Sequence, residues 1–188
     1  FGAIPVHFTG LDPELVRGQP APGPFEWWKP LTAITSAWLH GGVLHIAMNM
    51  WFLWVFSDNV EERFGRVRFS VFYLVCALAA VAAQIAANPH SAVPMVGASG
   101  AISGVLAGYV TLFPHARVVT LIPIFIFIHF MEVPAGIFIV LWFLLQLVQG
   151  YLSLGMIADG GGGVAWFAHI GGFLAGMAPD LDVLIRSS

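Results

Sequence analysis

Long apolar stretches separated by charges, prolines and glycines are the feature that most constrains how this chain can fold. Five such stretches, each of about 15 to 20 residues, approach the roughly 20 residues that a helix needs to cross the hydrocarbon core of a bilayer. They belong to a chain in which 59% of the residues are hydrophobic and only 9% are charged. A soluble domain carries about 25% charged residues and has too small a core at this length to bury so much apolar surface. We therefore expect an all-α, polytopic integral membrane protein.

The same composition excludes disordered, coiled-coil, collagen-like and nucleic-acid-binding chains. A formal net charge of -3 is too small to indicate a charged partner, so the lipid bilayer is the expected surrounding. The single cysteine, Cys76, provides neither a disulfide framework nor a thiolate metal site. No His-Glu-x-x-His motif is present, and we expect no metal and no cofactor.

The positions of the apolar stretches and of the helix-stopping residues predict five transmembrane helices within residues 43–188. The predicted spans are residues 43–60, 69–87, 98–113, 135–154 and 164–178. Residues 1–42 are expected to form an extracytoplasmic interfacial loop, with Trp27 and Trp28 at the membrane surface, and a lead-in to the first span. Residues 118–131 are apolar but short and interrupted by Pro123, and their Ile/Phe alternation predicts an extended or re-entrant segment. We treat residues 1–188 as one membrane-embedded core.

Positive charge is distributed unevenly between the two sides of this five-span arrangement. One side carries Arg63, Arg66, Arg68, Arg117 and Arg186, and the other carries Arg17 and Lys29. Cationic loops are retained in the cytoplasm, so the C-terminus is predicted to be cytoplasmic and the N-terminal loop to lie outside. A sixth span would change this balance only slightly, so charge favours five spans mildly.

Four polar side chains inside the predicted spans are candidates for function, because polar groups are costly in hydrocarbon. His45 and Asn49 lie in the first span, Ser99 in the third and His169 in the last. The first, third and fifth spans run in the same direction. This places His45, Ser99 and His169 within roughly 10 Å of the same membrane surface. Small residues also repeat every four positions, at Gly100, Gly104 and Gly108 on the third span and Ala168, Gly172 and Gly176 on the last. Such spacing lets two membrane helices approach closely, and it predicts contact between Ser99 and His169.

A serine beside a histidine indicates nucleophilic catalysis, since the imidazole can accept the hydroxyl proton. Ser99 lies at a helix start, where free backbone N–H groups can stabilise an oxyanion. His45 and Asn49 are four residues apart, share a helix face and could donate to the same oxyanion. No carboxylate lies at this depth, so the expected arrangement is a dyad.

Each of these residues also has a purely structural interpretation. Ser99 alone could cap a helix, His169 could be an interfacial histidine, and His45 with Asn49 could tie the first helix to a loop. Trp142 and Phe138, on the fourth span, are interpreted as lipid-facing bulk. The placement of the polar candidates at one depth beside two seams of small residues favours the functional interpretation.

The chain resembles the rhomboid family of intramembrane serine proteases. The motifs that carry the resemblance, in the family's order, are His45-Ile46-Ala47-Met48-Asn49, Gly97-Ala98-Ser99-Gly100 and Ala168-His169-Ile170-Gly171-Gly172. Asp58-Asn59-Val60-Glu61-Glu62-Arg63-Phe64-Gly65 extends it beyond these motifs. The resemblance implies that Ser99 is the nucleophile and His169 the general base and acid. It further implies an oxyanion hole of His45, Asn49 and the Ser99 N–H, a supporting role for Gly97, Gly100 and Gly172, and substrates that are single-span membrane proteins.

The chain departs from the family pattern in three respects. Many members carry a Trp-Arg pair in the long loop, and Leu31-Thr32 occupies that position here. Rhomboid cores have six helices, and the first is missing here, so we expect a cropped core. Ser103 occupies a position where many members carry a tyrosine that stacks on the histidine, which makes Phe167 a candidate for orienting His169. The resemblance also suggests a bacterial inner membrane.

Two other functions are alternatives to proteolysis. A non-catalytic rhomboid-like protein that binds transmembrane clients is the main alternative, and the retained serine and histidine favour the enzyme. A small transporter would require polar groups near the bilayer midplane rather than at one end of the helices.

Overall fold

The computed structural model describes residues 2–9, 29–124, 127–157 and 164–177. Its longer helices are α3 (Val43–Phe64), α4 (Arg66–Ala87), α5 (Ser99–Leu112), α6 (Ala135–Ile157) and α7 (Trp166–Gly176). They are preceded by the short helices α1 (Pro5–Thr9) and α2 (Thr32–Thr35), with 3-10 turns at Lys29–Leu31 and Ser36–Trp38. Two strands, β1 (Arg117–Ile124) and β2 (Phe127–Pro134), separate α5 from α6. Four residues named in the sequence predictions lie outside the described residues. They are the interfacial Trp27 and Trp28 and the charged Arg17 and Arg186.

The helix ends follow from local stop signals. Gly65 separates α3 from α4 in a left-handed conformation, with a φ of 77°, that favours glycine over residues with a Cβ. Asn88 and Pro89 follow α4, and Pro114 follows α5. These helices begin and end within a few residues of the predicted spans.

By length and apolar composition, two helices among the described residues qualify as membrane spans: α4 and the Ala135–Leu152 part of α6. A third candidate is the pair formed by Thr32–Trp38 and α3, which meet at 91°. The break in this pair contains Gly41 and Gly42. α5 is also apolar, but its 14 residues extend only about 21 Å. The chain is thus a helical membrane protein.

The segment predicted to be extended forms an antiparallel hairpin, with Arg117 opposite Pro134 and Ile124 opposite Phe127. The prediction that it is not a helical span is therefore confirmed. Alternation of side chains between the two faces of a strand is the pattern that distinguished it from the neighbouring helices. The hairpin joins the end of α5 to the start of α6 through a hydrogen bond from the Ala135 N–H to the Ala116 carbonyl.

α5 is the centre of the bundle, and every residue from 100 to 109 is buried. It packs against α3, α4 and α7, and α7 in turn packs against α4 and α6. A Cβ added at Gly172 would lie 1.8 Å from the Gly100 carbonyl oxygen, and one at Gly176 would lie 2.2 Å from that of Gly104. The predicted close approach of α5 and α7 is thus confirmed at these glycines.

The predicted contact between the small residues of α5 and those of α7 is wrong at one position and incomplete at another. Gly108 faces the ring of Phe72 on α4 rather than α7. Gly171 also brings α7 close to α4, because a Cβ there would lie 2.3 Å from that of Ala83 and 2.9 Å from the Ala79 carbonyl oxygen. α7 therefore packs backbone to backbone in a groove between two helices, which holds its first turns in a defined position.

Candidate active site

The connection between α4 and α5 is held from two sides just before Ser99. Ala3 and Met95 exchange backbone hydrogen bonds of 3.1 and 2.7 Å, which pair the N-terminal segment with this connection. The Gly97 N–H donates to the Ser36 carbonyl at 2.9 Å. Gly97 has a φ of 126°, a conformation that side chains disfavour, and it turns the backbone into α5.

Ser99 is the first residue of α5, and its side chain lies against α7. Its Oγ is 2.8 Å from Nε2 of His169, and His169 is only 8% exposed. The contact predicted between these two residues is present. A hydroxyl within hydrogen-bond distance of an imidazole nitrogen has the geometry required for proton transfer.

The other ring nitrogen of His169 faces α6. Its Nδ1 is 2.7 Å from Oε1 of Gln146, whose side chain is 6% exposed. The rings of Trp142 and Trp166 lie beside the imidazole, with centroids 5.9 and 6.0 Å from that of His169. Three side chains from two helices therefore surround the histidine ring in addition to Ser99.

Three interpretations from the sequence need correction here. Phe167 does not take the place beside the histidine ring that was predicted for it, because it lies near Gly150 of α6. The interpretation of Trp142 as lipid-facing bulk is wrong, since this half-buried ring borders His169. Phe138 is also half-buried against the core, where it stacks on Phe56 with a centroid distance of 6.4 Å.

Gln146 is the residue of this cluster that the sequence analysis missed. The signal was present, because Gln146 is a carboxamide in the middle of an apolar helix, where polar groups are costly. It was not recognised because apolar residues occupy every face of α6. Periodicity therefore does not indicate which face of α6 points inward.

His45 approaches Ser99 from α3. Its Nδ1 accepts a 3.2 Å hydrogen bond from the Gly41 N–H, so in the neutral ring the proton is on Nε2. A Cβ at Gly97 would lie 2.8 Å from Nε2 of His45 and 3.6 Å from Oγ of Ser99. The structure thus brings the Nε2 donor of His45 close to the serine. The same bond to Gly41 also ties the helix start to its preceding loop, as the structural interpretation predicted.

Asn49 lies one turn after His45 on α3 and is 6% exposed. Its Nδ2 atom is buried and has no hydrogen-bond partner among the residues that the structure describes. Buried amide donors are almost always paired, so an unpaired one at this position is consistent with a group that binds a substrate atom. His40 packs its ring edge-on against His45, with centroids 5.2 Å apart.

A cavity of about 40 Å³ lies beside Ser99. Its lining consists mainly of small residues, among them Ala33, Ser36, Gly97, Gly100, Ala101 and Ala168. This volume is enough for a water molecule. Within the described parts of the chain, no three His, Cys, Asp or Glu side chains are grouped so that they could hold a metal ion.

Comparison with known proteins identifies one family. Residues 24–181 match the model of the rhomboid domain. The chain is 31% identical over 179 residues to RHOMBOID-like protein 4 of Arabidopsis thaliana, covering 94% of this chain and 38% of that protein. It is 39% identical over 89 residues to Rhomboid protease GluP of Bacillus subtilis, covering 46% of this chain and 16% of that protein. It is 29% identical over 159 residues to Rhomboid-like protease 3 of Toxoplasma gondii, covering 85% of this chain and 52% of that protein. The match thus spans between about a sixth and a half of these relatives' own lengths.

Proposed function

The chain belongs to the rhomboid family, and from this premise we propose that it is an intramembrane serine endopeptidase that cleaves transmembrane segments of other membrane proteins. The observation that carries the proposal is the 2.8 Å contact between Oγ of Ser99 and Nε2 of His169. The two residues are 70 positions apart in sequence, and glycine contacts between α5 and α7 hold them together.

The proposed reaction begins when Oγ of Ser99 attacks a peptide carbonyl carbon and its proton passes to Nε2 of His169. When the tetrahedral intermediate collapses, the C–N bond breaks and Nε2 returns the proton to the leaving amine. A water molecule then gives a proton to Nε2 as its oxygen attacks the acyl-enzyme. The Ser99 oxygen leaves and takes this proton back, which restores the starting state.

Three donors are proposed to stabilise the oxyanion of the intermediate. They are Nε2–H of His45, the unpaired Nδ2 of Asn49 and the N–H of Ser99, which is free of helical hydrogen bonds because Ser99 begins α5. Removing one donor of this kind costs about 100-fold to 1000-fold in kcat in other serine proteases. The orphaned Asn49 amide is the strongest support for this assignment.

We further propose that α3 to α7 are five spans and that the site lies near the extracytoplasmic surface. Ser99, His45 and His169 all lie near the N-terminal ends of their helices. The cations Arg63, Arg66, Arg68 and Arg117 lie at or beyond the opposite ends of α3 and α5. By the positive-inside rule, those opposite ends face the cytoplasm, and so does the C-terminus. α5 can be shorter than the hydrocarbon core because protein, not lipid, surrounds it.

A substrate helix must unwind locally before its carbonyl can reach Ser99. Unwinding in lipid exposes unpaired backbone groups, so spans weakened by glycine or proline are the expected substrates. The 40 Å³ cavity beside Ser99 is consistent with a water molecule or a small side chain at this point. The relatives come from Arabidopsis, Bacillus and Toxoplasma, so the suggested bacterial inner membrane rests on the resemblance alone.

Cleavage of a single-span substrate by the purified protein in lipid vesicles tests the proposal. Ser99→Ala and His169→Ala are each expected to abolish cleavage. Ser99→Ala removes a single oxygen atom and should leave the protein folded, whereas His169→Ala also lowers the unfolding midpoint because it leaves a cavity beside Gln146. Ser103→Ala is the matched control, because this buried serine lies one turn further on α5 and its hydroxyl donates to the Ser99 backbone carbonyl at 2.7 Å. Substrate binding without cleavage by the parent protein would support the alternative, client-binding function.

A further inference from the structure

The position of Gln146 suggests a role beyond packing. It is a buried amide on a mainly apolar helix, and its Oε1 atom is 2.7 Å from Nδ1 of His169. Ser99 lies at the opposite ring nitrogen, 2.8 Å from Nε2. Both nitrogens of the imidazole are therefore hydrogen-bonded, one to an amide and one to the serine.

The chemistry of these partners determines which nitrogen carries the proton. An amide oxygen accepts hydrogen bonds and cannot donate them. Facing Oε1 of Gln146, the neutral ring of His169 must therefore carry its proton on Nδ1. The lone pair is then on Nε2, where it accepts the hydroxyl hydrogen of Ser99. In the other tautomer, the Nδ1 lone pair would face the oxygen lone pairs of Gln146.

We propose that Gln146 is a positioning residue that accepts a hydrogen bond from Nδ1–H of His169 and holds the ring in the tautomer and orientation that Ser99 requires. This inference rests on the proposed protease function. Gln146 touches no reacting atom, and it acts only through the histidine.

The surrounding packing makes this hydrogen bond effective. Trp142 lies one turn before Gln146 on α6, and Trp166 lies one turn before His169 on α7. Both rings lie within about 6 Å of the imidazole and limit its rotation. α6 thus contributes both a hydrogen-bond acceptor for Nδ1 and an aromatic side chain, Trp142, that packs beside the ring.

A neutral acceptor also suits a site embedded in a membrane. When His169 takes the proton of Ser99, both ring nitrogens become donors, and the dipole of the Gln146 carbonyl stabilises the positive charge. A carboxylate could do the same, but it would have to be buried as a charge in every resting molecule, which is costly. The amide provides the interaction without that cost.

The test compares three variants of the full chain. Gln146→Met keeps the length of the side chain but removes the amide, and Gln146→Glu keeps an acceptor oxygen at the same reach. Gln149→Met is the matched control, because this glutamine is exposed on the same helix. Each variant is assayed for kcat and KM on a single-span substrate. The tautomer of His169 is read from ¹⁵N NMR of histidine-labelled protein, with His169→Ala identifying the signals.

We expect the parent and Gln149→Met to show the proton on Nδ1 of His169. Gln146→Met should shift the ring towards the Nε2–H form and lower kcat about 10-fold, with KM unchanged. Gln146→Glu should restore most of the rate, which a merely structural role of the glutamine would not predict.

An Nε2–H tautomer in the parent would overturn the inference, as would Gln146→Met with unchanged tautomer and kcat. The parent spectrum decides the first point even if a variant fails to fold. The tautomer measurement needs no turnover, so it remains decisive if the parent does not cleave. A parent that shows no cleavage under conditions in which it binds substrate would instead refute the proposed function.

Discussion

Gly172 is the position where the structure makes the sharpest prediction about stability. A Cβ at this residue would lie 1.8 Å from the carbonyl oxygen of Gly100, and the obstacle is backbone rather than a mobile side chain. Real Cβ atoms essentially never come closer than 3.0 Å to another heavy atom, so Gly172→Ala requires α5 and α7 to separate by about 1.2 Å. The contact to Gly100 lies one helical turn from His169, at the level of the site.

The energetic cost follows from this separation. A gap of about 0.5–1 Å already forfeits a quarter to a half of the dispersion attraction between facing atoms. Overpacked sites lose about 1–3 kcal/mol, and we expect the upper end because neither backbone can yield alone. A loss of about 3 kcal/mol corresponds to a fall of about 6–12 °C in the unfolding midpoint. The same shift would stretch the 2.8 Å contact between Ser99 and His169, so cleavage should fall more than about 10-fold.

Thermal unfolding in detergent and substrate cleavage are measured together for a graded series of alanine variants. Gly136→Ala is the control, because nothing lies within 4 Å of its added Cβ, and it should be neutral or stabilising by about 0.5–1 kcal/mol. Gly108→Ala should fall between the two, since the ring of Phe72 at 3.2 Å can shift. If Gly172→Ala unfolds and cleaves like Gly136→Ala, the inferred backbone contact between α5 and α7 is wrong.

Three further predictions concern other parts of the structure. Asn49→Leu should lower kcat about 100-fold, because an oxyanion donor is lost. It should not lower the unfolding midpoint, because the amide that it removes is buried and unpaired. A lower midpoint with normal kcat would contradict the assignment. Gly97→Ala should impair cleavage, because its Cβ would collide with the imidazole of His45. Gly65 also has a positive φ, but the space around it is open, so Gly65→Ala should lose only about 1 kcal/mol of stability and remain active. Glu132→Gln removes the exposed 3.5 Å ion pair with Arg117 and should change stability by less than about 1 kcal/mol, as measured by the same unfolding assay.

The sequence predicted the helices of this protein well because their determinants are local. A run of apolar residues ended by Gly65 or by Asn88-Pro89 is recognisable without knowledge of any neighbour. The extended hairpin was predicted for the same reason, since alternation along a strand is a local pattern. The contact of Ser99 with His169 also followed from the sequence, because small residues repeated every four positions indicate where two membrane helices approach.

The tertiary structure decided which faces of the apolar helices meet. Gln146 and Trp142 lie beside His169, and Gly171 packs on α4, yet nothing in the periodicity of these helices distinguished those positions from lipid-facing ones. In water, burial of an apolar stripe would mark the inner face of a helix. In a bilayer, lipid tails are as apolar as the core, so the inner face is selected by close packing and by hydrogen bonds between helices, which form only once the helices are assembled.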